Sequence, residues 1–306
     1  MRVLEAENRD PADEVRPGTR WLLVAFLLLT FLGFNQLLVL ADVADRYWAW
    51  TIHTEMTAAF LGAAYTAGFV LSVLSLRQDR WSRIRVPLLT VTAFTVLTSV
   101  ATVVHAHRLH LMEGGPIARG AAWVWLAVYL IVPLLCAVVV YRQEAVPRRA
   151  LAHRRPMPQW LRVLLGVEGA ILFVAGAVLF GGALTVHHHM SSVGDFWPWD
   201  VTPLSSMVIG AWLIAFGLAS ALVIQQRDLA CLSVSAVTYT VFGVLELVAV
   251  IWHWPQVSAS DPWLWGYLAV LVSVVLTGGF GWRAARSVDD GEAAPAGAQG
   301  RTEVLG

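Results

Sequence analysis

Apolar residues are gathered along this chain into eight long runs, separated by short polar stretches. About 20 consecutive apolar residues are what an α-helix needs to cross the hydrocarbon core of a bilayer. The runs lack the alternation of apolar and polar residues that is typical of a membrane β-strand. The pattern therefore predicts eight transmembrane helices, at residues 19–41, 55–76, 86–105, 118–141, 161–185, 203–225, 229–252 and 263–282.

The composition agrees with this pattern. Of the 306 residues, 58% are hydrophobic and only 14% are charged, whereas a soluble domain carries about 25% charged residues. The formal net charge is zero, so the sequence gives no electrostatic reason to expect nucleic acid as a partner. We therefore expect an all-α integral membrane protein whose main partner is the lipid bilayer.

The arginines predict how the helices are oriented. Loop 77–85 holds four arginines and loop 142–162 holds six, whereas the loops on the other side carry only Arg46, Arg108 and Arg119. Loops rich in basic residues stay on the cytoplasmic side of a membrane. Both termini are therefore expected in the cytoplasm, in a multi-pass protein of a bacterial cell membrane.

Matching residues recur at a nearly constant spacing and indicate an internal duplication. The matches are Trp48 and Trp50 with Trp197 and Trp199, 149 positions apart, and Gly62 with Gly210, Gln78 with Gln226 and His105 with His253, 148 positions apart. Four helices per copy is an even number, so both copies enter the membrane from the same side. The sequence thus predicts two parallel four-helix repeats, with chance matching as the alternative.

This repeat divides the chain into five segments. Repeat one is expected at 19–145 and repeat two at 161–286, joined by a basic cytoplasmic linker at 146–160. The ends at 1–18 and 287–306 are polar or rich in glycine and alanine, which is typical of disordered tails.

Glu246 is the most unusual residue, because it lies inside the seventh apolar run. A carboxylate at that depth is costly unless it is neutral or paired. Tyr239 and His253 lie seven residues before and after it, and steps of seven keep residues on one helix face. The three form the candidate intramembrane polar site, with a structural glutamate as the alternative. Glu168 is expected to reach the interface or to pair with Arg162.

Five W-x-W pairs lie at the predicted external ends of the helices. A belt of tryptophan at the membrane interface explains such a placement, and an aromatic-lined external pocket is the alternative. Asp200 also has an alternative role, as the N-cap of the sixth helix. The candidate pocket residues are His105, Trp48, Trp50, Trp197, Trp199 and Asp200.

Eight of the nine histidines are predicted to be external, and carboxylates accompany them. Imidazole and carboxylate together can bind Zn²⁺ or Cu²⁺, and two opposed histidines can ligate haem. The weak metal candidates are His105, His107, His187, His188, His189 and His253. A solvated polar loop is the alternative, and the sequence identifies no cofactor.

Motifs for nucleotide, acyl-transfer and haem-attachment chemistry are absent from the sequence, which gives no specific reason to expect an enzyme. The first hypothesis is a transporter-like protein that carries a small solute or a proton past Glu246. The alternatives are a sensory protein that binds a ligand, metal or haem, an enzyme of the outer leaflet, and a structural subunit. A second copy of the chain or another membrane protein is a possible partner.

Overall fold

The computed structural model describes residues 13–146, 156–185 and 196–293. Within these ranges the chain is helical and has no strand, and eight helices are long and apolar enough to cross a membrane. The prediction of an all-α protein with eight candidate spans is confirmed. The helices are α1 Pro17–Phe34, α2 Glu55–Leu76, α3 Trp81–Val104, α4 Pro116–Glu144, α5 Gln159–Thr185, α6 Pro203–Gln226, α7 Ser233–Trp252 and α8 Pro262–Ala293.

Shorter helical turns join the long helices. A π-helical turn, Asn35–Val39, continues α1 directly. The others are Ala41–Val43, Ala44–Tyr47, Ala106–Arg108, Leu229–Leu232 and Trp254–Gln256. We call the end of the bundle with connections 77–80 and 227–232 the arginine face. The opposite end, with connections 40–54 and 253–261, is the tryptophan face.

Four helices form the centre of the bundle and four lie outside it. In the most apolar window of the inner helices α2, α3, α6 and α7, 50% to 72% of the residues are buried. The corresponding share for α1, α4, α5 and α8 is 28% to 39%. Helix α2 packs on α7 and α3 packs on α6, so that the first half (α1–α4) meets the second half (α5–α8) along the central helices.

Each outer helix packs against one inner helix of its own half. Helix α1 packs on α2 and α5 packs on α6, while α4 packs on α3 and α8 packs on α7. Glycine permits the closest of these contacts. A Cβ atom added at Gly210 would lie 2.7 Å from the carbonyl oxygen of Gly176, and one at Gly62 would lie 2.6 Å from the backbone nitrogen of Leu38. Small residues let helix backbones approach in this way in membranes.

Residues 13–18 are the described part of the N-terminal segment, and Asp13 among them contacts the start of α3. The Asp13 carboxylate accepts hydrogen bonds of 2.8 Å from both the backbone N–H and the hydroxyl of Ser82, in the first turn of α3. The N-cap residue of α3, Arg80, makes no such side-chain bond, so Asp13 satisfies a backbone group that a helix start leaves open. Val15 is buried behind it. Asp13 and Val15 are therefore packed against the arginine face.

The other predicted segments are described only in part. Helix α8 continues to Ala293, beyond residue 287, where the second tail was expected to begin. Residues 1–12 and 294–306 of the two predicted tails lie outside the described residues, as does 147–155 of the predicted linker.

Candidate intramembrane site

Glu246 lies inside the bundle with 0% of its surface exposed. Its Oε2 atom accepts a hydrogen bond of 2.7 Å from the hydroxyl of Tyr267 on α8. Its Oε1 atom is buried and has no hydrogen-bond partner among the residues that the structure describes. Glu246 is six residues before the end of α7 at Trp252, which places it about 9 Å of helix from the tryptophan face.

The other two residues of the predicted polar site contact different helices. The Tyr239 hydroxyl is 3.1 Å from both the Phe216 carbonyl oxygen and the Ser220 hydroxyl on α6. The His253 Nδ1 atom is 3.2 Å from Glu55 Oε2 at the start of α2. Tyr239, Glu246 and His253 are all buried, but their polar atoms are engaged with α6, α8 and α2 respectively. The contacts therefore bring Glu246 together with Tyr267 and separate it from the two residues that the spacing had grouped with it.

Gln256 completes the contacts around His253. Its amide nitrogen donates to Glu55 Oε2 at 2.7 Å, and its amide oxygen accepts from the backbone N–H of Met56 at 3.0 Å. The Glu55 side chain is 45% exposed. This cluster ties the end of α7 to the start of α2 at the tryptophan face.

The structure divides the tryptophans into two groups. The candidate pocket residues Trp48, Trp50, Trp197 and Trp199 are between 1% and 6% exposed and belong to the main hydrophobic core. By contrast, Trp252, Trp254, Trp263 and Trp265 are between 41% and 78% exposed. The exposed group fits the interfacial belt that the sequence suggested. The buried group fills the bundle beneath the tryptophan face.

Two of the buried tryptophans make matching bonds between the halves. The indole N–H of Trp50 donates to the Ser205 hydroxyl on α6 at 3.1 Å, and that of Trp199 donates to the Thr57 hydroxyl on α2 at 3.0 Å. Ser205 and Thr57 are each the third residue of their helices. Each half thus places an indole on the helix start of the other half.

The hydroxyls at these helix starts are held by matching caps. Thr54 is the N-cap of α2 and accepts from the Thr57 backbone N–H, while Thr202 is the N-cap of α6 and accepts from that of Ser205. Asp200 was a candidate for the second of these roles. Because α6 begins at Pro203, the cap position falls on Thr202, and Asp200 is exposed and contributes only its backbone carbonyl to Thr54.

The histidines are spread over the tryptophan face. His105 is 5% exposed and ends α3, with its ring 6.0 Å from that of the exposed His107. His187, His188 and His189 lie outside the described residues. Within the described part of the chain, no three side chains of histidine, cysteine, aspartate or glutamate are grouped so as to hold a metal ion.

Sequence reasoning assigned Glu168 to the interface, but the structure places it inside the bundle. Glu168 is 3% exposed. Its Oε1 atom accepts hydrogen bonds from the hydroxyls of Ser273 and, at 2.7 Å, Thr277 on α8. The Oε2 atom is buried without a hydrogen-bond partner in the described ranges. The signal in the sequence was the spacing of Ser273 and Thr277, because residues four apart share one helix face.

Comparison with protein-family models, with curated proteins and with solved structures finds no match for this chain. Function therefore has to be inferred from the residues themselves. The features that carry chemical information are two buried carboxyl groups, Glu246 and Glu168; in the described part of the chain, each has one oxygen with a hydrogen bond and one without.

Proposed function

We propose that this protein is a transporter-like protein of the cell membrane that moves protons, or a small solute coupled to protons, past Glu246. The observation that carries the proposal is the complete burial of this carboxyl group within α7, with one oxygen that has no hydrogen-bond partner among the residues described. Ionisable residues are rare inside membrane spans, and those that occur there mark substrate, ion and proton pathways.

The chemistry of the site fits a group that gains and loses a proton. A carboxylate without a counter-charge is costly in an apolar interior, whereas a carboxylic acid is neutral. Tyr267 donates to one oxygen of Glu246, which leaves the other oxygen to carry the exchangeable proton. Release of that proton requires water or another polar group to approach Glu246, so opening of the tryptophan face is part of the proposed cycle.

The packing of the helices supports the proposed duplication. Helices α1 to α4 contact one another in the same order as α5 to α8, and α2 on α7 corresponds to α3 on α6. The crossed bonds of Trp50 and Trp199 follow the same correspondence. Four helices per repeat make the repeats parallel, and the arginine-rich loops favour the arginine face, with both termini, on the cytoplasmic side.

Proton flux in liposomes tests the proposal. Purified protein would be reconstituted with a pH-sensitive dye inside, and acidification after an imposed potential would be recorded. We expect flux to fall to the level of protein-free liposomes in Glu246→Gln and to persist in Glu246→Asp. Glu113→Gln, which changes an exposed acid, is the matched control. Undiminished flux in Glu246→Gln would reject the proposal.

The alternative of an external pocket for a ligand, metal or haem receives less support. Trp48, Trp50, Trp197 and Trp199 are packed within the core, so a ligand would have to displace them. A metal analysis and an absorption spectrum of the purified protein test this alternative directly. A stoichiometric metal or a haem band would favour it over transport through Glu246.

A further inference from the structure

Glu168 has the surroundings of a second proton site. The carboxyl group lies nine residues after the start of α5 at Gln159, about 14 Å of helix from the arginine face. Ser273 and Thr277 donate to one of its oxygens, and the other has no hydrogen-bond partner in the part of the chain described. These features repeat those of Glu246 at a different depth, and nothing in the proposed function uses them.

A cavity leads toward Glu168 from the arginine face. It is small, with a volume of about 20 Å³, and lies between α5, α6, α7 and α8. Leu232, in the connection at the arginine face, lines one part, and Ser220, Tyr239 and Thr277 line another. Thr277 is the residue that joins the cavity to the acid, since it lines the space and its hydroxyl donates to Glu168.

The walls of this cavity carry hydroxyl groups rather than only apolar side chains. Ser220 and Tyr239 are hydrogen-bonded to each other, and Ser235 borders the space beside them. Most of the lining surface is apolar, but a volume of about 20 Å³ is room for one water molecule, which the hydroxyls can bind. Tyr239 is the titratable side chain that faces the cavity from α7, and α8 presents the two hydroxyls that bind the acid.

Helix α8 connects the two acids. It supplies Tyr267 to Glu246 and, from six residues further along, Ser273 to Glu168. Six residues of helix span about 9 Å. A small shift of α8 along or about its axis would therefore alter the hydrogen bonds of both carboxyl groups together.

We propose that Glu168 is a second proton-binding site, loaded from the arginine face through this cavity, whereas Glu246 exchanges protons with the tryptophan face. Binding forms one O–H bond at the free oxygen of Glu168 and converts the carboxylate to a carboxylic acid. The proposal rests on the proposed function in assuming that Glu246 handles protons. The competing explanation is a sealed structural contact between α5 and α8.

Infrared spectroscopy of proteoliposomes moved from H₂O to D₂O distinguishes these explanations. The carbonyl band of a carboxylic acid shifts when its proton is replaced by deuterium, and the bands would be assigned by their loss in Glu168→Gln and Glu246→Gln. Ser235→Leu fills the cavity, and Ser235→Val is the milder variant if leucine prevents folding. Val244→Leu, at an exposed position of the same helix, is the control for added bulk.

We expect the Glu168 band to exchange quickly in the wild type. Ser235→Leu should slow that exchange by roughly tenfold or more, because exchange then waits for local opening of the bundle. The Glu246 band and the Val244→Leu variant should be unaffected. The proposal is rejected if Glu168 gives no carboxylic-acid band at any pH, or if Ser235→Leu and Ser235→Val exchange as fast as the wild type.

These outcomes are separable from the flux experiment. Loss of flux in Glu246→Gln together with a sealed Glu168 would keep the proposed function and reject the second site. Rapid exchange at Glu168 through the cavity, together with undiminished flux in Glu246→Gln, would reject the proposed function and keep a water-accessible acid at the arginine face.

Discussion

In the first half of the bundle, two buried tyrosine hydroxyls bond to each other, whereas in the second half two buried carboxyl groups, Glu246 and Glu168, accept hydrogen bonds from hydroxyls of α8. The hydroxyls of Tyr65 and Tyr129 are 2.8 Å apart, and Trp125 donates to Thr102 at 2.9 Å. In the second half Tyr267 donates instead to Glu246. Helices that pack in the same order therefore enclose two chemically different interiors.

The position of Glu246 shows how small the underlying change is. Thr98 lies 148 positions earlier, the spacing of the other matches, and is also buried with 0% exposure. The Thr98 hydroxyl has no hydrogen-bond partner among the described residues, and a neutral hydroxyl left in this way costs less than a carboxyl group does. This difference indicates that the helix packing does not depend on the ionisable groups. Substitutions can therefore test the packing and the ionisable groups separately.

The largest difference in unfolding free energy between matched variants of the two halves is expected at the contacts between outer and inner helices. In Gly176→Ala the new methyl group would lie 2.7 Å from the Gly210 carbonyl oxygen, whereas in Gly33→Ala it would meet the Tyr65 ring at 2.8 Å. The backbone at Gly210 cannot move away from the new methyl group as easily as the Tyr65 side chain can. We expect losses in unfolding free energy of about 3 kcal/mol for Gly176→Ala and about 1 kcal/mol for Gly33→Ala.

Unfolding in detergent, followed by circular dichroism, measures both losses. Gly181→Ala is the control on α5, because an added Cβ there has no neighbour within 4 Å. Equal losses for Gly176→Ala and Gly33→Ala would mean that the two outer contacts are equally rigid.

The second-largest difference in unfolding free energy is expected between variants of Tyr267 and Tyr65. Tyr267→Phe removes the one hydrogen bond found for Glu246 among the described residues, and Tyr65→Phe removes the partner of the Tyr129 hydroxyl. A buried carboxyl group left unsatisfied costs more than a hydroxyl, so we expect losses of about 2 and about 1 kcal/mol. The same unfolding measurement compares them. A larger loss in Tyr65→Phe would contradict the contrast between the interiors.

Where the halves match, equal effects are expected. Ser205→Ala removes the acceptor of the Trp50 indole and Thr57→Val removes that of Trp199, with little change of shape in either case. Each variant should lose about 1 kcal/mol. The unfolding free energies of the two variants provide the comparison, and a difference well above the experimental error would show that the crossed bonds are not equivalent.

The smallest effect is expected at the tryptophan face. The Glu55 carboxylate is 3.2 Å from the His253 ring nitrogen, and the His105 ring is 6.0 Å from that of His107. The Glu55 side chain is 45% exposed, and ion pairs in contact with water contribute roughly 0–1 kcal/mol. Glu55→Gln should therefore leave the unfolding free energy almost unchanged. A large loss would place a third chemical difference between the halves at this face.

The number and extent of the helices could be predicted from the sequence, because bilayer thickness sets the length of each apolar run. The burial of Trp48 and Trp50 could not be predicted from the sequence. A W-x-W pair at a helix end has the same local pattern whether it faces lipid or another helix. Glu168 was assigned to the interface for a related reason. Its position along α5 gives its depth in the membrane, but it does not show that hydroxyls of α8 lie beside it.

The crossed indole bonds have a consequence for biogenesis. Trp50 and its acceptor Ser205 are 155 residues apart, and ribosomes add about 5–20 residues per second. A nascent chain whose first four helices have left the translocon must therefore hold that indole unsatisfied for on the order of ten seconds. This contact between the halves can form only after α6 has been synthesised, and the packing of α2 on α7 waits one helix longer.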